Sequence, residues 1–218
     1  MEKQELKHFE NQNLRTFGRR HGKKLSTRKM WLMENLLPKI APKTNEPSTI
    51  LEIGFGNGEH LRELAIQNPD KIIIGAEPFA NGVAALLSAI TNESDNTVMD
   101  KYKNIRIFPD DVRLLLQDFK DVKFSEIWIL HPDPWPKARH EKRRLLNHGF
   151  LNLLSDHIEQ NGKIIIGTDH WEYYDWIIEQ LKQTHLKIKS TDIDTIKTRY
   201  QIKNKAGTTN PKYLILGS

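Results

Sequence analysis

Five segments of the sequence place an acid where a run of β-branched or apolar residues gives way to a loop. The first reads Leu51-Glu52-Ile53-Gly54-Phe55-Gly56-Asn57-Gly58-Glu59. Glycines at every second position let the backbone turn sharply and let a ligand approach to van der Waals distance, since no Cβ stands in the way. The spacing is not the Gly-x-Gly-x-x-Gly that seats a pyrophosphate on a helix N-terminus, and Glu52 and Glu59 bracket it. An acidic frame suits a positively charged ligand, such as an amino acid carrying a sulfonium, better than a phosphate; a structural turn is the other use of the same glycines. The second segment, Gly75-Ala76-Glu77-Pro78, sets Glu77 23 residues after Gly54. An acid at that distance, on a neighbouring strand tip, accepts hydrogen bonds from both hydroxyls of a ribose, or else caps the helix that follows. In the third, Pro109-Asp110-Asp111-Val112, either Asp can cap a helix and one can reach an adenine amino group.

The fourth segment is the most distinctive: His131-Pro132-Asp133-Pro134-Trp135-Pro136, followed by Lys137, Arg139, Lys142, Arg143 and Arg144. Three prolines remove most of the loop's freedom and hold Asp133 and Trp135 in place, which is what a group acting on a reacting base requires. Trp135 offers a flat face for stacking, and the cations behind it can hold phosphates. An exposed structural turn is the alternative. The fifth segment, Gly167-Thr168-Asp169-His170-Trp171, adds an acid that is also a plausible helix cap. The nine histidines form no i, i+4 pair backed by carboxylates, so a metal site is not expected.

The elements that must position these residues follow from periodicity. Strands are expected at Thr49 to Ile53, Lys71 to Ala76, Asn104 to Phe108, Glu126 to Leu130 and Gly162 to Gly167. Helices are expected at Glu59 to Gln67, Phe79 to Ile90, Val112 to about Phe119, Arg144 to Ile158 and Trp171 to Leu181. Leu186 to Ser190 and Lys212 to Leu216 close the set as two further strands. Alternating strands and helices argue for an α/β fold, a Rossmann-like, doubly wound and mostly parallel sheet of seven strands. In such sheets a ligand lies beyond the carboxyl ends of the strands, where all five acids are expected.

Composition narrows the chemistry. There is no cysteine, which excludes disulfides, Cys-based zinc sites and thiol nucleophiles. Apolar runs are far too short for a membrane helix, and the charged N-terminus does not resemble a secretory signal, so a soluble, cytoplasmic protein is expected. The net charge of +5 is unevenly placed: Met1 to Lys29 carries nine basic residues against three acids, and the remainder balances to −1. Residues 1–48 are read as a basic arm and linker, and 49–218 as the main domain. Such an arm fits contacts to a phosphate backbone, or a solvated tail.

The combination resembles the bacterial tRNA (guanine-N7)-methyltransferases, members of the class I S-adenosylmethionine-dependent fold. The likeness runs from Arg15-Thr-Phe-Gly-Arg-Arg-His-Gly to Thr198-Arg199-Tyr200, and its most specific part is Pro132-Asp-Pro-Trp with Lys137-Ala-Arg-His and Lys142-Arg-Arg behind it. The resemblance implies methyl transfer from S-adenosylmethionine to N7 of a guanosine in the variable loop of tRNA. It implies that Glu52, Gly54, Gly56, Glu77, Asp111 and Asp133 surround the cofactor, with Asp133 also catalytic. Asp111 is preferred to Asp110 by its distance from Arg106. Lys137, Asp169 and the run Thr198, Arg199, Tyr200 and Gln201 would contact tRNA. Two positions depart from the family pattern: Gln201 stands where a glutamate is usual, and His131 where an aromatic or small residue is. The nearest rival is an exocyclic-amine methyltransferase acting on adenine N6 or cytosine N4, which also carries an Asp-Pro and an aromatic after its fourth strand. A non-catalytic RNA-binding module explains the cations but not the acids, and a dinucleotide-dependent dehydrogenase is disfavoured by the glycine spacing and Glu59. Nothing in the residues selects between monomer and dimer.

Overall fold

The computed structural model describes residues 16–18, 20–46, 49–191 and 211–217. Seven strands form one sheet in the order β3-β2-β1-β4-β5-β7-β6. They are β1 (Thr49–Ile53), β2 (Ile72–Ala76), β3 (Ile105–Phe108), β4 (Phe124–Leu130), β5 (Ile158–Thr168), β6 (Lys187–Ser190) and β7 (Lys212–Gly217). The first five pair in parallel, while β7 runs antiparallel between β5 and β6. Six helices cover the two faces: α1 (Thr27–Asn35), α2 (Glu59–Gln67), α3 (Ala80–Ile90), α4 (Val112–Asp118), α5 (His148–Asp156) and α6 (Trp171–Leu181).

The alternation of β1 to β4 feeds two cores. On β1, Leu51 and Ile53 pack with residues of α4, α5 and α6, whereas Ile50 packs with Leu61 and Leu64 of α2 and Val83 and Leu87 of α3. A strand buried on both faces reads as a continuous apolar run, which is why Thr49 to Ile53 was legible. The order reverses at β1: β2 and β3 lie to one side, β4 and β5 to the other. That switch point opens a crevice beyond the strand ends.

Three features differ from the sequence expectation. The apolar stretch from Met30 to Leu37 lies within α1 and the short 3₁₀ turn after it, and Leu32, Leu36 and Leu37 are buried in the α2–α3 core. The polar stretch behind them is also tied down, by an ion pair from Glu46 to Arg106. Second, α5 begins at His148 rather than Arg144, because Asn147 caps it by accepting from the Phe150 amide at 3.0 Å and Arg144 is drawn elsewhere. Third, α5 ends at Asp156 and β5 starts at Ile158, which pairs with Phe124 before the register breaks and resumes at Lys163. The turn is locked by the His157 ring, whose Nδ1 lies 3.0 Å from the Val122 carbonyl.

Candidate active site

A cavity of about 620 Å³ opens beyond the carboxyl ends of β1, β2 and β4, and Gly54, Glu77, Asp111, Asp133, Trp135 and Arg143 contribute to its lining. Its size lies within the range of small-molecule sites.

The glycine loop forms one wall. Gly54, Gly56 and Gly58 have φ of +75°, +59° and +78°, a region open to glycine at little cost. A Cβ on Gly54 would meet no atom within 4 Å, so the space above the loop is open. Behind the loop the packing is tight: a Cβ on Gly82 of α3 would stand 2.3 Å from the Gly56 carbonyl oxygen, so only glycine lets loop and helix meet. Glu77 fastens this wall. Its carboxylate accepts from the Gly56 amide and from the Phe79 amide, each at 2.8 Å. Burial pushes its pKa above the usual carboxylate value, the two amides pull it back, and the nearby charges of Asp133 and Glu52 raise it again.

Glu52 sits differently from the other acids. It shares a strand face with Ile50, is 3% exposed, and does not line the cavity. His60 Nδ1 lies 3.2 Å from its Oε2, and the His60 ring leans on Trp128 at 4.8 Å between centroids. Gly56 does not line it either, and reaches the site through the hydrogen bond its amide donates to Glu77.

At the tip of β3, Asp111 caps α4 by accepting from the Arg113 amide at 3.0 Å and pairs with the Arg113 guanidinium at 2.7 Å. It also accepts from the Thr16 hydroxyl at 2.7 Å. Burial raises its pKa, yet these bonds outweigh burial and hold the carboxyl below its usual value. Neighbouring Asp110 pairs with Arg20 at 2.7 Å. Thr16 and Arg20 belong to a strap that crosses the tips of β2 and β3. Its Arg20 carbonyl accepts from the Ala80 amide, its Gly22 amide donates to Asn81 Oδ1, and Thr16, Phe17 and Gly18 line the cavity. Farther on, Arg28 donates to Asn96, Thr91 and the Asn92 carbonyl. So part of the basic arm is bound to the domain, and Arg20, Lys23, Lys24, Arg28 and Lys29 lie along it, with no acid in the sequence between Thr16 and Lys29.

The loop after β4 forms the opposite wall. His131 and Trp135 have φ of +50° and +42°, which is costly for side chains of this kind and persists where surroundings over-determine it. The His131 amide donates to the Gly167 carbonyl at 2.7 Å, and its ring Nδ1 stands 3.7 Å from Asp169 Oδ1. Burial lowers the pKa of this imidazole, and Asp169 partly offsets that. The unusual residue at 131 thereby links the tips of β4 and β5. Asp133 is exposed at the cavity and has no hydrogen-bond or ion-pair partner among the described residues.

Trp135 meets the edge of His140 at 5.8 Å, and Arg143 lies 5.0 Å over the Trp135 ring and 5.6 Å over Phe17. The cation thus joins strap to loop across the mouth. Lys137, Arg139 and Lys142 are exposed beside it. Among the sequence-predicted residues, Gly54, Glu77, Asp111 and Asp133 meet at the cavity, Lys137 and Asp169 lie outside its lining, and Thr198, Arg199, Tyr200 and Gln201 fall outside the described residues. Phe17 and Arg144, which also line it, carried no individual signal; Arg144 was hidden in a run of like charges. Among the described residues no group of three His, Cys, Asp or Glu could hold a metal ion, and no helix is long and apolar enough to cross a membrane.

A family profile described as a putative methyltransferase matches residues 46–211. A tRNA (guanine-N(7)-)-methyltransferase of Neorickettsia sennetsu is 36% identical over 193 residues, covering 88% of this chain and 86% of that protein. One of Paramagnetospirillum magneticum is 38% identical over 195 residues, covering 80% and 79%. Among solved structures, an antibiotic-related methyltransferase superposes with a TM-score of 0.58 at 14% identity, covering 89% of this chain and 96% of that one. The 16S rRNA methyltransferase KamB gives 0.55 at 11% identity, covering 88% and 94%. The last two establish the fold, a class I methyltransferase sheet. The sequence relatives go further, and with them this chain belongs to the tRNA (guanine-N7)-methyltransferase family.

Proposed function

We propose that the protein transfers the methyl group of S-adenosyl-L-methionine to N7 of a guanosine in the tRNA variable loop, forming 7-methylguanosine. The observation that carries this reading is the Asp133 carboxylate, without a partner among the described residues and held on a proline-locked loop at the same cavity as Glu77 and Asp111. The cavity suits the cofactor in shape and charge: the space above Gly54 is open, and the acids at the strand tips favour a cation. When bound, S-adenosylmethionine supplies a methyl group activated by a positively charged sulfur.

The residues divide the work by their geometry. Glu77 uses two of the roughly four acceptor positions of a carboxylate on its own backbone, which leaves others for ribose hydroxyls. Asp111, at the cavity with Arg113 and Thr16 on its carboxylate, would take the adenine amino group in exchange for one of those bonds. Guanine N7 carries a lone pair and no proton, so no general base is needed there. Methyl transfer would exchange a sulfur–carbon bond for a carbon–nitrogen bond and so put positive charge on the purine that these residues face. A fixed carboxylate facing that purine stabilises the charge as it develops, and the same oxygens can accept from the N–H groups of the Watson–Crick edge. Trp135 would stack on a base, while Lys137, Arg139, Lys142 and the strap cations meet phosphates. Asp169 and the segment Thr198 to Gln201 would complete the tRNA contacts.

The test is to treat unmodified tRNA with the protein and labelled cofactor, digest it, and identify and map the modified nucleoside by mass spectrometry. A single 7-methylguanosine in the variable loop is expected. A methyl group on an exocyclic amine would refute the N7 assignment.

A further inference from the structure

Arg144 sits at the end of a run of cations in which Lys137, Arg139 and Lys142 are exposed, yet it is only 4% exposed. A guanidinium keeps its charge at any physiological pH, so burying one demands compensation from the chain. Four groups provide it. Arg144 Nε donates to the Pro134 carbonyl at 2.9 Å and a second nitrogen to the Trp135 carbonyl at 3.4 Å. The guanidinium carbon lies 5.5 Å from the Tyr173 ring centroid and 5.1 Å from that of Trp176, both on α6. Among the described residues, the carboxylate paired with it is that of Glu141, which stands 3.6 Å away and is half exposed.

What this cation holds is the part of the loop that the prolines leave undecided. Proline fixes φ at 132, 134 and 136, but the direction of the carbonyls at 134 and 135 depends on ψ. Trp135 also precedes a proline, which favours extended backbone, and instead has φ of +42°. A conformation so disfavoured needs an external hold, and Arg144 grips both carbonyls that define it.

We infer that Arg144 is a positioning residue for the reaction: it fixes the Pro134–Trp135 backbone and thereby sets the carboxylate of Asp133 against the reacting base, rather than contacting tRNA phosphate. The inference rests on the reading of Asp133 given above, so the wild-type protein must first yield 7-methylguanosine; if it does not, that reading fails before Arg144 is tested.

With active wild type in hand, Arg144→Lys keeps the charge and loses the fork that spans two carbonyls. Steady-state kinetics at saturating cofactor should show kcat down by about 30- to 300-fold, the scale of a small misplacement of a reacting group. KM for tRNA and its dependence on salt should stay within about twofold, since no phosphate contact is removed. A retained kcat overturns the inference, most plainly if KM rises and the log–log salt slope falls by about one, as loss of a phosphate contact requires. Should Arg144→Lys lose its cooperative unfolding transition, Trp176→Leu and Trp176→Phe decide. Loss of the aromatic face should lower kcat at unchanged KM and the phenyl ring should restore it; equal kcat in the two variants overturns the inference.

Discussion

The two rims of the cavity handle their acids in opposite ways. On the β2–β3 side every carboxylate is already clasped by the protein: Glu77 by the amides of Gly56 and Phe79, Asp111 by Arg113 and Thr16, Asp110 by Arg20. On the β4–β5 side Asp133 is left without such a partner, and the backbone around it at His131 and Trp135 adopts left-handed conformations. The first rim therefore uses acids as fasteners, of which Glu77, with two protein bonds, keeps acceptor positions for a ligand. The second keeps one carboxylate available and lets its surroundings carry the strain. Removing an acid should then cost stability on one side and turnover on the other.

The largest effect is expected from Asp133→Ala: methylation of tRNA should fall by about a hundredfold or more, as when a group aimed at transition-state charge is lost. Its unfolding midpoint should match wild type, because the carboxylate has no partner among the described residues, and tRNA affinity should stay nearly intact, since phosphate contacts supply most of it. Substantial residual methylation would remove Asp133 from the chemistry. Glu77→Ala should behave in the contrary manner. Two amides lose their acceptor in a buried setting, so urea unfolding should show a loss of roughly 1 to 3 kcal/mol along with weaker cofactor binding. An undiminished midpoint would break the contrast between the rims.

The smallest effect concerns pH. The folded imidazole of His131 binds its proton less readily than the ordinary value of 6.5, owing to burial, with Asp169 pulling the other way. The unfolded chain therefore takes up more protons as the pH drops below 6.5, and the stability present above that value is lost on acidification. Thermal unfolding of His131→Gln should depend less on pH than wild type from neutrality down through that window. An identical profile would show that the His131–Asp169 link does not act as a second fastener on the open rim.

Much of this was legible in the sequence because it rests on local periodicity. β1, α2 and α6 have the limits that apolar spacing and glycine placement imply. The acids at the tips of β2, β3 and β4 were found because strand ends in a parallel sheet converge. What escaped was direction and partnership. Glu52 was read without its neighbour: strand alternation sets it beside His60, and that needs to be known for the sheet as a whole. Arg144 was expected to open a helix and extend a charged surface, and it leaves both to grip two carbonyls. No spacing rule marks one arginine of a cluster as buried. The positive φ of His131 was equally hidden, since it reflects the junction between two strand tips rather than the residue's own preference.

The antiparallel placement of β7 has a consequence for how the chain survives before it is complete. Every strand lining the cavity precedes β7 in the sequence, yet β5 reaches its final surroundings only when residues 212–217 slide between it and β6. Until then Ile164, Ile165 and Ile166 form a bare, strongly apolar edge with unpaired amides and carbonyls, the kind of surface on which strands of other molecules add. A chain stopped short of β7 would keep the residues of its active site and still be prone to aggregate.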